Sequence, residues 1–192
     1  MRVLPVSIVI ALLLAGTASA VSPGSFPGTK TAADRAEWRS TLKWSRSCER
    51  DWARAHAASA GIVVYPTGTP RWLVAVTCSP GAYQGTHLLF LVDRGLNSKG
   101  PIPLHAYRDL GKGKPRPTRA TRVLGTIDFN RETSRLVVID KFRGAGDCGI
   151  LSVFRLQNDR FYPLAVRAKL NCDGKGPFDP FRWPLLPLPQ GP

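Results

Sequence analysis

Four cysteines, Cys48, Cys78, Cys148 and Cys172, follow an N-terminal export signal. An even cysteine count in an exported chain of this size reads as a disulfide framework rather than as free thiols. The signal has three parts: Arg2, an uncharged apolar run from Val6 to Ala15, and the small-residue cleavage site Ala18-Ser19-Ala20. The mature chain is expected to begin at Val21. The apolar run is too short for a permanent membrane span, and no later segment approaches the roughly 18 uninterrupted apolar residues that one needs. No cysteine lies between that run and Cys48, so a lipid-anchored N-terminus is not expected. The expected location is secreted, in the periplasm or cell envelope.

Behind the signal (1–20) come a Ser/Pro/Gly-rich leader (21–30), one disulfide-stapled domain (31–175) and a Pro-rich tail (176–192), expected to run extended or fray. The domain is long enough to bury a core, so the disulfides assist folding rather than replace it. With 18 glycines and 17 prolines, many turns and short elements are expected.

Thr31 can cap a helix whose first turns carry Asp34 and Glu37. Helical bias runs to about Ala60, with Trp44, Cys48 and Trp52 four residues apart on one face. From Gly61 the pattern changes to short β-branched and aromatic runs between turn residues. These are Ile62–Tyr65, Trp72–Thr77, Thr86–Val92, Val123–Phe129, Leu136–Asp140, Gly149–Leu156 and Phe161–Leu170. The fold class is therefore α+β, one or two helices packed on a mainly antiparallel sheet.

In the last run, Tyr162, Leu164, Val166, Ala168, Leu170 and Cys172 alternate with Pro163, Ala165, Arg167, Lys169 and Asn171, which predicts one buried and one wet face. A hairpin folded near 159–160 brings Cys148 opposite 171–172 with matching parity. Cys148–Cys172 is thus the expected bridge, leaving Cys48–Cys78, although four cysteines allow three pairings. Each bridge is expected to stabilise by about 3–4 kcal/mol on the chain-entropy argument.

The net charge is +14, or +13 once Arg2 leaves with the signal. Such a charge attracts polyanions. A basic series, Arg35, Arg39, Lys43, Arg46, Arg50 and Arg54, would form a stripe if the helix were continuous. A second set, Arg108, Lys112, Lys114, Arg116, Arg119 and Arg122, lies on a Gly/Pro-rich connection that reads as an exposed loop. These six are the candidate polyanion-binding residues.

Sequence motifs for catalysis are lacking. His56, His87 and His105 have no metal-ligand spacing, and there is no C-x-x-C pair, G-x-S-x-G elbow or phosphate loop. No metal or cofactor is expected, and no catalytic residue is assigned. Asp128-Phe-Asn130 resembles the start of a calcium loop but lacks the glycine and distal acid, so a hairpin turn accounts for it. Two turns carry special residues: Gly81, Ala82, Tyr83 and Gln84 in the first, and Gly146, Asp147 and Gly149 in the second. The glycines permit unusual backbone angles, and Asp147 can accept from turn donors or act as an acid, base or ligand.

These two turns, Cys78-Ser-Pro-Gly-Ala-Tyr-Gln84 and Arg143-Gly-Ala-Gly-Asp-Cys-Gly149, resemble the paired signatures of a family of exported bacterial proteins catalogued only as a domain of unknown function. The resemblance extends to Leu42-Lys-Trp44, Cys48-Glu49, Phe129 and Arg167–Asp173, covering about 42–175; the basic connection and the tail lie outside it. It implies an envelope or periplasmic location and no established activity. Functionally, the chain reads as a binding module for an anionic envelope polymer or another envelope protein; nucleic acid is not expected as a physiological partner. The alternative is an envelope hydrolase with a site near Asp147, Tyr83 and Gln84, and a third reading is a structural accessory without a ligand.

Overall fold

The protein is described here by a computed structural model covering residues 26–55, 59–108 and 115–188. Two helices come first, α1 (Ala32–Leu42) and α2 (Arg46–Ala55). Thr31 and Asp34 form the expected capping box: the Thr31 hydroxyl accepts from the Asp34 N–H at 3.1 Å, and the Asp34 carboxylate accepts from the Thr31 N–H at 2.8 Å. Asp34 is held below the usual carboxylate range, chiefly by backbone donors at Thr31 and Lys30. The helical run is interrupted at Lys43, which is left-handed at φ 53° and donates its N–H to Arg39 O. This break corrects the expected basic stripe. Arg35 turns inward and is 3% exposed, so it cannot share a wet face with Arg46, Arg50 and Arg54 beyond the break.

The strands are β1 (Ile62–Pro66), β2 (Arg71–Ser79), β3 (Gly85–Asp93), β4 (Leu104–Arg108), β5 (Arg116–Ala120), β6 (Arg122–Asn130), β7 (Arg135–Lys141), β8 (Gly149–Gln157), β9 (Arg160–Lys169) and β10 (Leu185–Leu186). Eight of them make one antiparallel sheet in the order β1-β2-β3-β6-β7-β8-β9-β10, while β4 and β5 pair separately. The architecture is α+β, as the sequence pattern predicts.

Strand β6 joins two halves of the large sheet. Its first part, Arg122 to Gly125, pairs with β3, and its second, Thr126 to Asn130, pairs with β7. The change of partner falls at Gly125, whose φ is 132°; a Cβ there would sit 2.5 Å from Ile139 O. Only glycine permits both that angle and that approach. The sheet curls so that Leu73 and Leu89 share a core with Leu136, Val138, Phe154 and Phe161. The alternate residues of β2 and β3, Val74, Val76, Leu88 and Phe90, pack against Trp38, Leu42 and Trp44 of the helical layer. Both faces of β2 and β3 are therefore buried, which is why Leu73–Val76 and Leu88–Val92 read as unbroken apolar runs.

The basic connection is not the expected loop. Leu104–Arg108 and Arg116–Ala120 form an antiparallel hairpin in which Leu104 faces Ala120 and Arg108 faces Arg116. Leu104 is 2% exposed and anchors the hairpin to the core, a tertiary force that overrides the poor strand composition Arg-Pro-Thr-Arg-Ala. Pro117 is tolerated because β5 has a partner on one side only. Lys112 and Lys114 lie outside the described residues, as does His56.

A second correction concerns β9. Ala165 pairs with Val153 but Pro163 pairs with Phe154, so Leu164 is an extra residue in the ladder. This bulge inverts parity: Val166 and Ala168 face inward as expected, whereas Phe161 replaces Tyr162 on the buried side. Tyr162 and Leu164 are left 39% and 37% exposed.

Both expected disulfides form. Cys48–Cys78, with Cα atoms 4.5 Å apart, ties α2 to the end of β2, and Cys148–Cys172, at 5.0 Å, closes the open end of the β8–β9 hairpin. Residues 177–188 follow the extended alternative and pack on the sheet. A 3-10 turn at Pro180–Arg182 leads to β10, which pairs with Arg167 and Val166, and Trp183 is fully buried.

Candidate functional site

The two cysteine-bearing turns, some sixty residues apart, meet in the fold. The Gln84 side chain lies along the end of β7: its Oε1 accepts from the Lys141 N–H at 2.7 Å, and its Nε2 donates to Lys141 O and Asp140 Oδ1, each at 2.9 Å. Tyr83 donates its hydroxyl to Phe142 O at 3.3 Å, and its ring lies over Gly144. Ala82 is exposed at the tip of its turn. Gly81, at φ +61°, has no room for a Cβ, which would meet Gln84 O at 2.0 Å; Gly149, at φ +153°, would meet Asp140 O at 2.2 Å. Gly146 is also left-handed, at φ +69°.

Asp147 is fully buried within the second turn. Arg143 forks onto it, with Nε donating to Oδ1 at 2.7 Å and Nη2 to Oδ2 at 2.6 Å, and the Gly174 N–H donates to Oδ2 at 2.8 Å. The Arg143 bonds hold its carboxyl far below the usual range, and the backbone donor at Gly174 adds to this. A carboxylate so committed ties the second turn to the chain just beyond Cys172 and has no proton to give.

The four candidate basic residues within the described structure fall into distinct settings. Arg122 donates to Asp51 Oδ2 at 2.9 Å and to Ser47 Oγ at 2.7 Å, so it links β6 to α2. Arg108 and Arg116 face each other at the free end of the β4–β5 hairpin and are exposed. Arg119 stands opposite His105 on the other face of the hairpin. There the hairpin lies beside β9, and a groove of about 440 Å³ opens between them. Lys99, Arg119 and Arg160 border it, His105 lies alongside, and Pro101, Pro103 and Tyr162 supply apolar surface. The depression continues past Pro101, Pro103 and Arg119 to Arg108 and Arg122, over a further space of about 610 Å³. Among the described residues Lys99, Arg119 and Arg160 form no ion pair, while the one acid beside them, Asp159, is engaged by Arg71.

Lys99 and Arg160 were not among the sequence candidates. They lie outside the dense basic run, and only the packing of the hairpin against β9 brings them to Arg119. On the helical side, Arg35 is sandwiched between Trp44 and Trp52, 5.4 and 4.6 Å from the ring centroids, and bonded to Glu49 at 2.7 Å. That cation is part of the core.

The family model described as "Protein of unknown function (DUF1176)" matches residues 15–188. The chain belongs to this family. For DUF1176 the match takes in the β4–β5 hairpin and the segment through Leu188, both outside the sequence resemblance noted above. A relative from Escherichia coli (strain K12), "Uncharacterized protein YpfG", is 29% identical over 115 residues, 59% of this chain. The aligned part spans 31% of that relative's length. No solved structure matches the chain. The two disulfides of this DUF1176 chain, and the lack of a helix long and apolar enough to cross a membrane among the described residues, are compatible with a secreted or periplasmic protein.

Proposed function

We propose that this protein is a non-enzymatic binding module of the cell envelope that holds an anionic polymer along the groove between the β4–β5 hairpin and β9. The observation that carries the reading is the convergence of Lys99, Arg119 and Arg160, exposed and unpaired among the described residues, on one apolar-floored groove. Cations gathered without partners on one groove repel each other, and an anionic ligand relieves that cost. Arg108 and Arg116, directly opposed across the hairpin, have the same unfavourable relation in the free protein. The apolar surface of Pro101, Pro103 and Tyr162 gives the ligand's less polar faces something to pack on, so a glycan bearing acidic groups suits the groove better than a simple ion.

The rigid scaffold fits this role. Strand β9, one wall of the groove, is paired along its length with β8, and Cys148–Cys172 closes the far end of that hairpin, so little ordering cost is added on binding. The test is salt-dependent co-sedimentation with purified envelope fractions, with the soluble phase assayed for new products. Binding that weakens with salt and leaves the polymer intact supports the reading. Release of cleavage products would instead favour a hydrolase.

A further inference from the structure

We propose that the segment from Pro177 to Leu188 is a second, separate binding element, which rests on the surface of an anionic lipid bilayer. Phe178, Phe181, Leu185 and Leu188 are 58%, 53%, 62% and 49% exposed. They are four of the nine large apolar side chains exposed on the molecule's described surface, and they fall within eleven residues. Leucine and phenylalanine are scattered singly on ordinary surfaces; a run of this density marks contact with something apolar.

The run is not a loose tail. Trp183 is buried beneath it and donates its Nε1 to Pro177 O at 3.0 Å, Arg167 holds Trp183 O at 2.8 Å, and β10 is paired to β9. The segment is thus fixed to the sheet with one aromatic facing in and the four apolar side chains facing out. A proline-rich peptide that docks into an aromatic groove presents an extended free helix. This strap is folded onto its own protein instead.

Its backbone also suits a lipid interface. Pro177, Pro180, Pro184 and Pro187 have no N–H to desolvate. The N–H groups of Phe181, Arg182 and Trp183 are bonded within the turn, to Asp179 Oδ1, Asp179 O and Pro180 O at 2.9, 3.0 and 3.2 Å. Backbone groups that are absent or already satisfied lower the cost of entering an apolar phase. A polysaccharide, which binds through polar hydrogen bonds, would find few donors here. Lys175 and Arg182 are exposed beside the apolar side chains, and the chain carries +14 overall, which matches a bilayer of negative surface charge.

The experiment uses the mature protein and vesicles of phosphatidylglycerol mixed with phosphatidylcholine, against phosphatidylcholine alone. The parent is expected to sediment with the anionic vesicles and to stay partly bound at about 0.5 M salt, since apolar insertion is not screened. Replacing all four residues, Phe178→Ser, Phe181→Ser, Leu185→Ser and Leu188→Ser, is expected to lower partitioning at least about tenfold. Near-ultraviolet circular dichroism checks that Trp183 remains packed, and the double variant Phe178→Ser/Leu188→Ser is the milder substitute if it does not. The indole introduced by Phe178→Trp should be quenched by brominated acyl chains. The proposal is overturned if the parent ignores anionic vesicles, if the serine variants bind as well as the parent, or if brominated lipid leaves that indole unquenched, including the case in which the strap engages only a soluble protein. Loss of groove binding by changes at Lys99, Arg119 and Arg160 would leave this insertion signal in place, so the two readings fail separately.

Discussion

The side-chain amide of Gln84 bonds to both backbone polar groups of Lys141, accepting from its N–H at 2.7 Å and donating to its carbonyl at 2.9 Å. It acts as one further rung of sheet between strands β3 and β7, which are otherwise separated by β6. The two cysteine-bearing turns are held in register by that rung. Gln84→Ala removes three hydrogen bonds at a part-buried position and is expected to destabilise by about 2–3 kcal/mol in denaturant titration with the disulfides intact. Gln84→Glu should cost at least as much, because it replaces a donor with a carboxylate beside Asp140. A cost within noise would mean the rung is incidental.

Glycine positions separate by the space around them. Gly149→Ala places a Cβ 2.2 Å from Asp140 O at φ +153° and is expected to lose more than about 3 kcal/mol or fail to fold. Gly100, at φ +98°, has open space, and Gly100→Ala should cost only about 1–2 kcal/mol. Equal melting temperatures for the two variants would contradict the close approach of strands β7 and β8 there.

Arg35 is the only strongly buried cation among the described residues, and its fork onto Glu49 also organises Trp44, whose Nε1 donates to Glu49 Oε1 at 2.6 Å. Arg35→Met leaves Glu49 short of its main partner and is expected to cost about 2–4 kcal/mol. Arg35→Lys should recover little, since an ammonium cannot make the same fork between two indoles. A double-mutant cycle with Glu49→Gln measures the coupling; additive effects would exclude it.

His87 sets a pH dependence. Its Nε2 lies 3.0 Å from Gly125 O and its Nδ1 3.2 Å from Thr77 Oγ1, a pattern in which the neutral ring donates to the carbonyl and accepts from the threonine. Burial holds its pKa below the usual 6.5, with the carbonyl opposing. The unfolded chain therefore binds the proton first. Stability contributed by the neutral ring is full above about pH 7 and falls as pH drops below the unfolded value. Urea titrations at about pH 5 and pH 7 should show a loss at the lower pH that is reduced in His87→Gln. Identical pH slopes in parent and variant would sink this assignment.

Much of the sheet was legible because its strands carry their own signal. The runs around Val74, Phe90, Val138 and Leu151 are apolar and bounded by turns, and the β8–β9 hairpin predicted its own disulfide. Four features were hidden for physical reasons. Leu164 bulges, and no period-2 pattern reveals a residue that drops out of the ladder. The β4–β5 hairpin is held by Leu104 in the core rather than by strand propensity. Lys99 and Arg160 join Arg119 only through that packing, so the groove has no contiguous motif. Arg35 looked like its neighbours in the basic series, and its burial between two indoles follows from the helix break at Lys43.

The groove bordered by Lys99, Arg119 and Arg160 is proposed to bind an anionic polymer. The most direct measurement is the salt dependence of affinity for a purified anionic envelope polysaccharide, comparing the parent, Lys99→Ala/Arg119→Ala/Arg160→Ala, and a charge-matched control, Arg39→Ala/Lys43→Ala/Arg46→Ala, on the helical side. The groove variant is expected to weaken binding at least about tenfold and to flatten the dependence on salt, while the control stays close to the parent. If both triple variants lose affinity equally, net charge alone governs binding; if neither does, the groove is not the site. Either result would rule out the groove as the polymer site.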